Sequence, residues 1–225
     1  EKELTIQNSN LIVDFDLKHQ IKNHKLWSPE DPQIYELEIF LDKITENEQG
    51  TVYTKLDHVK ENFGFREFTV ENDRFYLNGK PIYLKAAFFE GLYPIKLSYP
   101  DSRDMMIKEI LLAKEAGFNM IRPWRKPPPK EWLHIADSLG VLTVGSMAIE
   151  CMDMPIESPY LPQRVENEIT EAILRDRNHA SIVQWELFNE IRRPVLANML
   201  KPMSLKAREL DPTRMILDEL SLIHI

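Results

Sequence analysis

The second half of the chain alternates short apolar runs with amphipathic stretches, and this alternation narrows the fold more than any other feature. "RFYLNGKPIYLKAAFFE" carries two strands around Asn78-Gly79, a dipeptide that favours a tight hairpin turn. "PDSRDMMIKEILLAKEAG" follows with helical spacing, Asp101 as the expected N-cap and Gly117 as its stop. "FNMIRPW" is apolar again, and "PPPKEWLHIADSLG" is a helix with prolines at its start and Gly140 at its end. The pattern continues through "VLTVGSMAIE", "LPQRVENEITEAILRDR", "SIVQWELFNE", "VLANMLKPMSLKAREL" and "RMILDEL". Strands fall near 82–89, 118–124, 141–148, 181–188 and 214–219. They are continuously apolar rather than alternating, as expected of a parallel sheet covered by helices.

No strand is followed by a Gly-rich phosphate-binding turn, which disfavours a dinucleotide-binding sheet. The remaining arrangement is an α/β fold of the (β/α)8 TIM-barrel type. A complete barrel takes about 250 residues, or about 31 per strand-helix unit. Residues 71–225 therefore hold about five units, the N-terminal part of such a barrel.

Residues 1–70 follow a different pattern. "LTIQNSNLIVDFDL", "QIYELEIFLDKI" and "TVYTKLDHVKENFGFREFTVE" are β-branched and alternating, and "KLWSPEDPQIY" supplies turn residues. Four to five short strands without a helix suggest part of a β-sandwich, incomplete on its N-terminal side.

Composition removes several classes of function. The 225 residues carry a formal net charge of -8, which argues against general nucleic-acid binding. A single cysteine, Cys151, excludes an internal disulfide framework, and the six histidines form no metal-ligating pair by spacing, so no metal or other cofactor is expected. No stretch reaches the roughly 18 apolar residues of a membrane span. The chain opens without Met, on a polar stretch that reads as a cut point, so its compartment is not taken from its start. "RPWRKPPPK" is read as a stiff loop leading into the next helix.

In a barrel, chemistry belongs at the C-terminal ends of the strands. The five ends carry Glu90; Arg122 with Trp124; Glu150; Asn189 with Glu190; and Asp218 with Glu219. Carboxylates beside aromatics suit carbohydrate chemistry. One carboxylic acid protonates a glycosidic oxygen, a second carboxylate attacks or activates water, and indole faces stack on sugar rings. Taken singly, strand-end carboxylates also serve as helix caps or solvated loop residues. Glu190 stands out because it closes an apolar run where that strand would emerge.

These residues carry a resemblance. "DRNHASIVQWELFNE" resembles the acid/base signature of glycoside hydrolase family 2, which includes β-galactosidases, β-glucuronidases and β-mannosidases. Asn178, His179, Ser181, Trp185, Asn189 and Glu190 match it. "LWSPEDPQIYELEIFL" is similar to the end of that family's immunoglobulin-like domain. "GFREFTVENDRFYLNGKPIYLKA" resembles its junction into the barrel, and "AKEAGFNMIRPW" its second barrel strand, with Asn119 and Arg122. The chain departs from the family pattern at Glu186, where Gly or Ser is usual, at Pro123-Trp124-Arg125, and at Ala86-Ala87-Phe88.

The resemblance implies a retaining β-glycosidase, β-galactosidase-like, with Glu190 as general acid/base. Asn189 would bond the sugar 2-hydroxyl, and Arg122 would hold the site carboxylates. Trp124, Glu90, Glu150 and Trp185 complete the expected substrate-binding set. Glu190 needs an apolar wall, for which Trp185, Trp124 and Phe188 are candidates. Strand alternation puts Glu190 opposite Trp185 and Asn189, so it reaches the site only if the strand bends or ends there. The family's nucleophile is a Glu on the seventh barrel strand, expected after residue 225, so these residues alone are expected to be inactive. The alternative is a carbohydrate-binding or relic barrel without catalysis. The expected partner is a carbohydrate substrate, with no nucleic acid or membrane, and a homo-oligomer is allowed.

Overall fold

The computed structural model describes residues 16–123, 126–149, 158–191 and 193–217. Strands β1 (Tyr35–Asn47) and β2 (Gly50–Phe63) form one long antiparallel hairpin with a register slip between Leu41 and Asp42. The sequence pattern suggested shorter strands here. Neither run contains an internal Pro or Gly to interrupt the ladder, so each continues for 13 and 14 residues. Leu26 bridges Phe65 beside the hairpin. The ribbon exposes apolar side chains at Leu37, Phe40, Tyr53 and Leu56.

A second antiparallel sheet joins β3 (Phe68–Glu71), β4 (Arg74–Leu77) and β5 (Lys80–Ile82) in sequence order. Both of its turns place consecutive residues at positive φ: Asn72 and Asp73 at 48° and 61°, Asn78 and Gly79 at 53° and 74°. These pairs suit the twist of two-residue hairpins, and the Asn78-Gly79 expectation holds.

The barrel portion is a parallel sheet of β6 (Ala86–Phe89), β7 (Met120–Pro123), β8 (Leu142–Ser146), β9 (Ile182–Glu186) and β10 (Met215–Leu217). Its spatial order follows the chain. Helices α1 (Arg103–Glu115), α2 (Lys130–Leu139), α3 (Leu161–Asp176), α4 (Pro194–Ala197) and α5 (Leu200–Leu210) provide the crossovers. Successive parallel strands with intervening helices form a partial TIM barrel, as the alternation predicts.

Two boundaries differ from the sequence reading. The strand expected over 82–89 divides into β5 and β6. Asn119 holds the break, accepting from Lys85 N at 2.8 Å and donating to Tyr83 O at 2.9 Å. The N-cap of α1 is Ser102 rather than Asp101: Ser102 Oγ accepts from Met105 N, while Asp101 accepts from Lys96 N.

Two cores sandwich the sheet. The larger packs helices on its outer surface, with Ile110, Trp132, Ile169, Ile173 and Trp185 almost fully buried. The smaller sits at the N-terminal ends of the strands, where Trp27, Phe68 and Leu77 meet Met120, Leu142 and Val183. The small sheet thus plugs the barrel bottom and leaves the opposite end for chemistry. Arg66 reinforces the plug by donating to the carbonyls of Ala180, Ile182 and Thr213. Gly140 ends α2 at φ 67°, and an added Cβ there would lie 2.4 Å from Pro29 O.

Candidate active site

At the C-terminal ends of β7, β8 and β9, three side chains form one polar cluster. Arg122 Nε donates to Glu186 Oε2 at 2.9 Å, and its Nη2 donates to Glu186 Oε1, making a two-pronged ion pair. Ser146 Oγ donates to Glu186 Oε2 at 3.0 Å. The Arg122 and Glu186 side chains are 18% and 3% exposed. Glu186 is therefore buried but compensated, as a carboxylate at that depth requires. Phe88, register partner of Arg122 on β6, lies against the guanidinium, whose centre is 5.7 Å from the ring centroid.

The cluster reaches the mouth through Asn189. Arg122 Nη2 donates to Asn189 Oδ1 at 3.1 Å, and Asn189 N donates to Ile149 O at 3.0 Å. Asn189 is 5% exposed, and its Nδ2 has no hydrogen-bond partner among the described residues. Strand β9 stops at Glu186, and Glu190 takes φ 49°. A non-Gly residue in this left-handed region costs backbone energy. The turn removes Glu190 from the strand's alternation and meets the condition under which it can face the site.

The other expected residues separate. Glu90 follows β6 at the mouth and is half-buried. Trp124 and Glu150 lie outside the described residues, as do Cys151, Asp218 and Glu219. Trp185 is a correction. It is 1% exposed, packed between sheet and helices, and its indole N–H donates to Asp211 Oδ2 at 2.8 Å. It cannot stack on a substrate from there. Phe188 belongs to the same buried core, at 1% exposed.

Sequence reasoning missed Glu186 as a site residue. The signal was present: a lone charge between Trp185 and Leu187 in an otherwise apolar strand, where the resembling family carries Gly or Ser. It also missed Glu109 of α1, which accepts from Trp132 Nε1 at 2.5 Å and from Tyr93 Oη at 3.1 Å. Burial raises its carboxyl above the usual range, against the opposing effect of these two donors. Tyr93 and Trp132 line a cleft beside the mouth with Phe89, Pro123 and Lys126.

Among the described residues, His134, Asp137 and His179 form a group whose composition could hold a metal, with ligand atoms within 4.8 Å of one another. Asp137 is already occupied: Oδ2 meets His179 Nδ1 at 2.6 Å and Oδ1 accepts from Ser181 N at 2.8 Å. His179 and Ser181 lead into β9, so the group fixes α2 to the start of that strand, at the end away from Glu190.

Fold and mouth together define a partial TIM barrel with an Asn-Glu pair just past the end of its fourth strand. Comparison with known proteins agrees. Residues 68–221 match the family described as glycosyl hydrolases family 2, TIM barrel domain, and residues 1–66 match glycosyl hydrolases family 2. The chain belongs to glycosyl hydrolase family 2. It is 32% identical over 182 residues to a β-galactosidase of Lactococcus lactis, covering 78% of this chain and 17% of that protein. The chain thus spans less than a fifth of that relative. Among solved structures, the Bacteroides uniformis β-glucuronidase matches with TM-score 0.71 and 29% identity, over 86% of this chain and 24% of that one. A β-galacturonidase from Eisenbergiella tayi matches the fold with TM-score 0.76 and 23% identity, over 91% of this chain and 35% of the other.

Proposed function

We propose that the chain supplies the acid/base half of a retaining β-glycosidase, β-galactosidase-like in its substrate. The division is an immunoglobulin-like part over 1–70 and a barrel part over 71–225. The observation that carries this is Asn189-Glu190 at the mouth: the strand has ended, Glu190 has turned, and Arg122 holds Asn189 Oδ1. Glu190 protonates the glycosidic oxygen and then deprotonates the incoming water. Asn189 Nδ2 donates to the sugar 2-hydroxyl, a contact that strengthens as the ring flattens toward the oxocarbenium ion. The nucleophile comes from sequence beyond residue 225. A β-galactoside is the first substrate to try, because the relative at 32% identity is a β-galactosidase.

The test is Glu190→Ala in the full-length protein. Turnover of glycosides with poor leaving groups falls about 10²- to 10⁴-fold, the range of general acid/base assistance. Activated aryl glycosides lose less, and azide restores part of their turnover because it needs no base. Unchanged rates on both substrate types would overturn the assignment. A second reading, a carbohydrate-binding barrel without catalysis, draws on one observation: Glu186 is saturated by Arg122 and Ser146 and is not available as a nucleophile. Sugar binding without turnover in the unaltered full-length protein would favour it.

A further inference from the structure

We infer that Glu186 is a positioning residue for the substrate's 2-hydroxyl contact, acting through Arg122 on the amide of Asn189. The inference rests on the proposed role of Asn189 and adds a residue to it. Arg122 has only donors, so the Asn189 atom facing it is the oxygen. Once the oxygen is committed, Nδ2 is left as the amide's uncommitted donor, buried and without a hydrogen-bond partner among the described residues. The orientation of that donor therefore depends on where the guanidinium is held. Arginine has long rotamer freedom, and here two N–H groups locked on one carboxylate remove it. Glu186 is in turn fixed by Ser146 Oγ and sits opposite Ser146 in the last register pair of β8 and β9.

The pieces form one line: Ser146 fixes Glu186, Glu186 fixes Arg122, and Arg122 sets which face Asn189 shows to the mouth. A Gly or Ser at position 186 offers no carboxylate to a guanidinium. Arg122 would then lose both of the bonds it makes to that carboxylate, and with them part of what sets where it meets Asn189 Oδ1. The charge at 186 is thus tied to the geometry of a neutral amide three residues later.

The test compares Glu186→Gln with the unaltered full-length enzyme on two substrates, the best aryl β-glycoside of a panel and its 2-deoxy counterpart. If Glu186 acts through Asn189, kcat/KM on the glycoside falls about 10- to 100-fold, the usual cost of disturbing a supporting contact. On the 2-deoxy substrate the same variant changes less than about threefold, because the contact it supports is not made. Equal losses on both substrates, or no loss on either, would overturn the inference and leave the assignment of Glu190 standing. If the unaltered enzyme turns over no glycoside, the proposed function fails first and the inference with it. Should Glu186→Gln not fold, Ser146→Ala removes one bond to the same carboxylate. It must show the same split between substrates at smaller size, and equal rates would again overturn the inference.

Discussion

Arg122 stands between Glu186 and Asn189, pairing with the carboxylate through two N–H groups and giving another hydrogen bond to the amide oxygen at 3.1 Å. Removing it strands Glu186, 3% exposed, with Ser146 as its remaining mapped donor. Arg122→Met is expected to destabilise the fold by about 3–5 kcal/mol, the cost of an uncompensated buried charge. Glu186→Gln in the same molecule should recover most of that loss. Denaturant midpoints of the single and double variants check this, and an additive double variant would count against it.

Trp185 gives a prediction that separates packing from substrate binding. Trp185→Phe keeps the apolar contact and deletes the donor to Asp211. The expected cost is about 1–3 kcal/mol, since a buried acceptor loses a partner. KM for glycosides should stay the same. A large rise in KM with unchanged melting would return the indole to the substrate site.

How far the sequence could be read follows from these residues. The barrel portion was legible because its central strands β7, β8 and β9 are buried on both faces and so apolar nearly throughout, a pattern that residue order alone exposes. That the chain leaves the sheet by Glu190 was legible because a carboxylate closing such a run marks an exit from the core. The facing of Trp185 was not, since alternation from Trp185 to Asn189 assumes a continuous strand, and β9 ends at Glu186. Glu186 was passed over because its partners, Arg122 and Ser146, lie 64 and 40 residues away along the chain. Only the folded sheet sets them side by side. The hairpin was read as shorter strands because alternation sets facing but not length.

The His134 ring gives a pH prediction. Burial, with His179 beside it, holds its imidazole below the usual 6.5; Asp137 opposes this, Lys130 adds to it and Glu131 opposes it. The unfolded chain therefore binds this proton more readily than the folded one. Stability is full above 6.5, falls as pH drops through that value, and levels off below the depressed folded value. Urea midpoints taken between about pH 7 and about pH 5 should decline, and less steeply in His134→Gln. Parallel declines would show that another group is responsible.

Gly140 closes α2 at φ 67°, with Pro29 O 2.4 Å from where a Cβ would stand. Gly140→Ala meets both backbone strain and a clash with main chain, and should cost about 1–3 kcal/mol. Thermal melting reads this directly, and an unchanged melting temperature would mean that the segment around Pro29 yields without cost.

The left-handed turn at Glu190 has a consequence for how such an enzyme can be improved. At φ 49° the backbone favours glycine, so Glu190→Gly should raise the melting temperature while abolishing acid catalysis. A library selected for heat resistance alone would drift toward losing the side chain proposed as the general acid/base. Ranking by robustness and ranking by rate would diverge at this one position, and any campaign on this protein has to select for both together.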